Sequence, residues 1–166
     1  MLFRSLFVWL LFRFRRRRQP LEVRVIGEQF AWNVHYPGRD GRFGITRPAL
    51  ISATNPLGID RTDAAAADDI GLINLLTVPA GRPVIVHLSS RDMVHGFTLL
   101  EMRVKQDATP GMTTRTWFTA THPGEWQIGC SQLCGLGHYR MVGRFTVLSA
   151  ADWDAWLTKE TAELTR

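Results

Sequence analysis

The sequence predicts an all-β domain, a sandwich or barrel of antiparallel strands, followed by one C-terminal helix. Short runs of alternating apolar and polar residues recur along residues 21–148, Gly and Pro punctuate them, and no helical period lies between them. Glu22–Ile26 is the first alternating run, and Gln29–Tyr36 continues it with aromatics at Phe30, Trp32 and Tyr36. Pro37-Gly38 and Asp40-Gly41 are turn signals, and from Arg47 to Gly71 the chain is rich in Pro, Asn, Asp and Ala without a sustained period. That stretch reads as a long surface loop. Asn74–Pro79 and Pro83–Ser89 read as strands on either side of Ala80-Gly81, and Phe97–Val104, Thr113–Thr119, Glu125–Gly129 and Val142–Leu148 complete the set. Ser149 and Asp152 form a capping box with Asp in the Glu role. Trp153, Trp156, Leu157 and Leu164 then line one face of a helix over 149–166, which packs on the domain or on a neighbouring subunit.

A chain of 166 residues suffices for one domain with a real core. Its formal net charge of +5 comes from the N-terminus, where Arg4, Arg13, Arg15, Arg16, Arg17 and Arg18 stand. Without these six, residues 19–166 hold 14 basic against 15 acidic side chains, and nucleic-acid binding through a broad basic face is disfavoured. Residues 1–19 read as a basic and apolar membrane-proximal segment. The apolar run Leu6–Phe12 is too short to span a bilayer, and the basic cluster follows it, unlike a secretory signal. An interfacial anchor with arginines on anionic lipid, or the tail of a transmembrane helix, both put this segment at a membrane; a solvated arm is the bland alternative.

The chemistry is concentrated in GCSQLCGLGHYRMVG, where Cys130, Cys134, His138 and Met141 fall in the pattern C-x3-C-x3-H-x2-M. Thiolate, imidazole and thioether together favour copper, and Met has little use for zinc. A disulfide between the two cysteines would leave His138 and Met141 unexplained, and a zinc site would normally bring a second Cys or His pair. One catalytic Cys would leave the other idle. A mononuclear blue-copper site needs one thiolate, so a second at i+4 points to two metal ions bridged by two sulfurs. Another imidazole is then needed from His35, His87, His95 or His122; His95, in SSRDMVHGF, is modestly favoured by spacing.

The motif S-x-D-x-x-H-x-F, then RVKQDATPG, then PGEWQIGCSQLCGLGHYRM resembles the CuA domain of subunit II of the haem–copper oxidases, cytochrome c oxidase in particular. The likeness covers roughly Val23 to Leu148 and includes the aromatic block GEQFAWNVHYPG. It implies a cupredoxin-like Greek-key fold over 20–148 and a binuclear copper centre. In it Cys130 and Cys134 would bridge both ions, His95 and His138 would each cap one, and Met141 and the main-chain carbonyl of Gln132 would be weak ligands. It further implies a membrane-associated respiratory complex with this domain on the outer, periplasmic or equivalent face. Electrons would come from cytochrome c or an equivalent haem donor and pass to haem in subunit I, where oxygen is reduced to water. Lys105 and Asp107 would face subunit I.

Two departures from the family pattern bear on this. Gln132 stands where familiar members have Glu, so a magnesium site at the subunit I interface is expected to be absent or weakened. The tryptophan through which electrons enter falls at Phe30, with Trp32 two residues on. Competing readings are a mononuclear blue-copper carrier, a CuA domain of nitrous-oxide-reductase type, and a quinol-oxidase subunit II that has lost the ligands. The acidic stretch with Asp60, Asp63, Asp68 and Asp69 either steers a basic cytochrome or is merely solvated.

Overall fold

The computed structural model describes residues 19–164. The reading of residues 1–19 as membrane-proximal therefore falls almost wholly outside the described residues, among which no helix is long and apolar enough to cross a membrane.

Among the described residues, ten strands and one long helix form the domain: β1 Leu21–Glu28, β2 Ala31–Tyr36, β3 Ile70–Ile73, β4 Leu75–Pro79, β5 Val84–Ser90, β6 His95–Leu99, β7 Val104–Ala108, β8 Thr114–Phe118, β9 Gly124–Cys130, β10 Val142–Leu148 and α1 Ala150–Glu163. They make two five-stranded sheets, ordered β3-β2-β1-β5-β8 and β4-β10-β9-β6-β7. The expected all-β sandwich with one C-terminal helix is what forms. Alternation accounts for it: on β1 the apolar Leu21, Val23 and Val25 are buried while Glu22 is exposed, and on β5 Val84, Val86 and Leu88 repeat the pattern. Trp32 and Phe97 meet edge to face across the sandwich at 5.5 Å, as do Phe118 and Phe145 at 5.6 Å.

Several local expectations are corrected. The sheets are not purely antiparallel, because β1 pairs with β5 and β10 with β4 in parallel. Both pairs join strands distant in sequence, and side-chain alternation is the same for either direction. Gln29–Tyr36 does not extend the first strand. The chain reverses after Glu28, and β2 folds back with Glu28 opposite Ala31. Phe97–Val104 is likewise two strands, broken after Leu99 and resumed at Val104, with Arg103 at φ 53° in the turn.

The long loop is a built structure. Leu57, Ile59 and Ala66 make a small second core against Ile26. Its carboxylates hold it in place: Asp63 accepts from the Ile45 N–H at 2.8 Å, Asp68 from the Arg39 N–H at 2.5 Å, and buried Asp69 from His35 Nε2 at 2.7 Å and the Gly44 N–H at 2.8 Å. Hydrogen bonds from Thr62 and Arg47 lower the Asp60 carboxyl to about 2. Asp69 has no exposed surface and Asp60 is 7% exposed, so of the four Asp63 and Asp68 are the more open to an approaching protein.

Helix α1 is capped by Ser149, whose Oγ accepts from the Asp152 N–H at 3.2 Å. The reciprocal half of the box differs from expectation, since the Asp152 carboxylate accepts from the Ser149 hydroxyl at 2.6 Å. Trp153 is buried, Trp156 meets Tyr36 at 5.3 Å, and Leu157 and Leu164 pack beside them. The helix thus closes the end of the sandwich at which β2 finishes.

Candidate metal centre

At the opposite end of β2, three pieces of chain converge. His95 is the first residue of β6, Cys130 the last of β9, and residues 131–141 form a loop that carries the remaining ligand types before β10 begins. Register sets the meeting: Phe97 pairs with Cys130, which places the start of β6 beside the end of β9. The loop is fastened to the sheet by the Ser131 N–H donating to Gly96 O at 2.8 Å and by Thr98 Oγ1 donating to Ser131 Oγ at 2.8 Å. From the other side Gln29 Nε2 donates to Cys134 O at 2.9 Å. Gly135, at φ +112°, turns the chain sharply, and at Gly137 a side chain would collide with the Phe30 ring.

This folding brings the predicted groups together. A ring nitrogen of His95 and the sulfurs of Cys130 and Cys134 all lie within 4.8 Å of one another. The two Sγ atoms are 3.7 Å apart, so the thiols are free and not a disulfide. Cys134 Sγ is 3.6 Å from His138 Nδ1 and 3.6 Å from Met141 Sδ. Cys130 Sγ is 3.2 Å from the Gln132 carbonyl oxygen. His95, Cys134 and Met141 are wholly buried, while Cys130 and His138 reach partly to the surface.

His95 is held as a metal-binding imidazole would be. Its Nε2 faces Asp92 Oδ1 at 2.8 Å, and its Nδ1 is buried without a partner among the described residues. A carboxylate that accepts from Nε2–H leaves the Nδ1 lone pair bare. Asp92 is kept ionised: partial burial opposes it, but hydrogen bonds with His95 and with the Gln29 and Met93 N–H groups hold its carboxyl below the usual range. The Cys134 thiol is pushed up to about 11 by burial, with the hydrogen bond and charge of Cys130 adding to it. A bare buried nitrogen, two close thiols and a thioether form a donor set that fits copper; zinc would use the nitrogens and thiolates but not Met141.

The other histidines are elsewhere. His35 is buried against Asp69 and Phe43, His87 Nε2 meets Glu22 at 2.9 Å, and exposed His122 contacts Thr121. His87→Ala and His122→Ala are accordingly expected to leave the bound metal per chain unchanged by elemental analysis. Loss of an ion in either would displace His95 from the site.

The two aromatics are placed differently. Phe30 is partly exposed, packs against the ligand loop and has the Arg140 guanidinium 5.6 Å from its ring centre. Trp32 has no exposed surface and stands edge-on to His95 at 6.0 Å. Of the pair, only Phe30 can touch an incoming protein. Lys105 is exposed on β7, while Asp107 is half-buried and accepts from Gln132 Nε2 at 3.0 Å. Asp92 is a residue that the motif S-x-D-x-x-H-x-F contains without declaring its role; the signal in the sequence is its i−3 spacing from His95.

Comparison with known proteins shows the family of the chain. Residues 21–145 match the family described as cytochrome c oxidase subunit II, periplasmic domain. The chain is 39% identical over 140 residues to the alternative cytochrome c oxidase subunit 2 of Bradyrhizobium diazoefficiens, covering 84% of this chain and 50% of that protein. It is 30% identical over 148 residues to cytochrome c oxidase subunit 2 of Cereibacter sphaeroides, covering 81% and 48%. It thus spans about half the length of the curated relatives it matches. The crystal structure of the periplasmic domain of subunit II of cytochrome oxidase (CoxB) of Bradyrhizobium japonicum superposes with a TM-score of 0.64 at 26% identity, over 87% of this chain and 95% of that one. The sandwich is therefore cupredoxin-like.

Proposed function

The chain belongs to the cytochrome c oxidase subunit II family, and from that premise we propose that it is the electron-accepting domain of a haem–copper terminal oxidase. The observation that carries the proposal is the pair of free thiols 3.7 Å apart, with His138 and Met141 beside Cys134 and a ring nitrogen of His95 within 4.8 Å of both sulfurs. His95, Cys130, Cys134, His138, Met141 and the Gln132 carbonyl would hold two copper ions. When bound, these would take up and give up a single electron shared between them.

The chain's own part is to hold, orient and shield. Asp92 fixes the His95 ring, and β6 and β9 hold His95 and Cys130 on paired strands, which limits rearrangement on a change of charge. Burial of Cys134 and Met141 keeps water out. Phe30 offers a donor, cytochrome c or an equivalent haem protein, an aromatic contact beside the ligand loop. Haem in subunit I, where oxygen is reduced, would be the acceptor, with this domain on the periplasmic side of the membrane complex.

The test is copper loading of the full chain, with metal analysis and electron paramagnetic resonance. Two coppers per chain and hyperfine splitting from both nuclei are expected. One copper with a mononuclear spectrum would instead indicate a blue-copper carrier. Met141→Leu should keep both ions and shift the redox potential, because a thioether tunes the centre more than it holds it; copper loss in that variant would contradict the assigned weak role. Because Cys134 keeps its proton up to about 11, binding must displace it. Copper affinity is expected to rise about tenfold per pH unit for each proton released between pH 6 and 8, a slope readable by competition with a chelator.

A further inference from the structure

Gln132 is engaged at both of its ends. Its main-chain oxygen lies 3.2 Å from Cys130 Sγ, and its side-chain Nε2 donates to Asp107 Oδ2 at 3.0 Å. Asp107 sits on β7 opposite Gly96 of β6, and its own carbonyl accepts from Thr114 Oγ1 at 2.8 Å, so both β6 and Thr114 of β8 hold its backbone. Gly96 in turn accepts from the Ser131 N–H, one residue before Gln132. The other carboxylate oxygen, Oδ1, is buried without a partner among the described residues, which leaves the Gln132 amide as the donor this carboxylate has. A half-buried carboxylate with so few donors holds strongly to the one it has.

We propose that Asp107 and Gln132 are a positioning pair: the carboxylate–amide bond ties the ligand loop to β7 and so presents the Gln132 carbonyl to the metal centre. This rests on the copper reading above. Nothing in the loop's own backbone performs the task, since the Ser131 clamp precedes Gln132 and the next fastening, from Gln29, falls at Cys134. Without the side-chain bond the Gln132 peptide loses its one tether to β7 between the clamps at Ser131 and Cys134 and gains freedom to tilt. Its carbonyl would then donate more weakly, the oxidised state would lose a ligand, and the potential would rise. Asp107 thereby has a role within this chain, beyond any contact with a partner subunit.

The experiment is a redox titration of the copper-loaded full chain with Asp107→Ala, Asp107→Asn, Gln132→Ala and the double alanine variant. All should keep two coppers. Asp107→Ala and Gln132→Ala are each expected to shift the equilibrium with a one-electron mediator about tenfold, which is about 59 mV upward. The double variant should shift no further, because both changes break one bond. Asp107→Asn is the deciding case. It removes the charge but keeps an oxygen that accepts from Gln132, and it should return the potential to near the wild-type value. Equal shifts in Asp107→Ala and Asp107→Asn would mean that charge alone acts, and would overturn the pair. Gln132→Ala, neutral and on a loop, reads out the same bond should the Asp107 variants not fold; a wild-type potential there also overturns it. A wild-type chain lacking two coppers overturns the copper reading itself, a failure distinguishable from that of the pair.

Discussion

Replacing Cys134 by Ser is expected to abolish the binuclear spectrum outright. Its sulfur is the hub of the site, 3.7 Å from Cys130 Sγ and 3.6 Å from both His138 Nδ1 and Met141 Sδ. A hydroxyl is a harder donor that stays protonated where a thiol yields to copper, so one of the two proposed sulfur bridges would be lost and the shared valence with it. The protein itself should persist, because Ser is smaller than Cys and only the hydroxyl is new. An unpartnered buried hydroxyl costs about 1–3 kcal/mol, and Met141 and His138 remain to line the space. Cys130→Ser should lose the spectrum equally, although Cys130 is partly exposed, since bridging needs both sulfurs. The measurement is copper per chain together with electron paramagnetic resonance. Hyperfine structure from two nuclei in either variant would show that the cysteines do not bridge, and the proposed function would then lose its central observation.

The site was legible to the extent that it is local. Cys130, Cys134, His138 and Met141 lie within twelve residues, so their spacing alone marks a candidate ligand loop. His95 was only weakly favoured, because its place depends on β6 pairing with β9, and register over a gap of 35 residues leaves no mark in local pattern. Asp107 and Gln132, 25 residues apart, met for the same kind of reason. Strands were found by alternation, but their direction was not: β1 against β5 and β4 against β10 run parallel with side-chain patterns that would serve antiparallel pairs. The β1–β2 reversal was missed because Gln29-Phe30 carries none of the Gly, Pro or Asn that usually mark a turn. In the long loop, composition correctly suggested irregular backbone. It did not reveal that Asp63, Asp68 and Asp69 accept backbone N–H groups and thus serve as internal struts.

Gly27→Val is expected to have an effect nearly as large, from outside the ligand set. Gly27 lies on β1 and is buried. A Cβ there would stand 2.9 Å from His95 Cδ2, 3.2 Å from Cγ and 3.3 Å from Cβ, so glycine is what lets the ring lie against the strand. The strand cannot easily retreat. Gly27 pairs with Trp32 on one side and Ser90 on the other, and its carbonyl accepts from the Arg91 N–H at 3.0 Å. His95 cannot retreat either while Trp32 flanks it and Asp92 holds Nε2. Something must yield, at a cost of about 1–3 kcal/mol for overpacking, and the ring is the freer party because one side-chain bond holds it against several for the strand. Valine favours strands, so the cost is one of packing and not of propensity. Once the ring is displaced, its nitrogen no longer lies within reach of the thiols, and copper should fall from two ions to at most one per chain with loss of the binuclear spectrum. Gly129→Ala is the matched control: it adjoins Cys130 on β9, yet its added Cβ would meet no atom within 4 Å, and it should load two coppers. Two coppers in Gly27→Val would mean that β1 gives way before the histidine, and that the sheet is softer at the metal end than its hydrogen bonds imply.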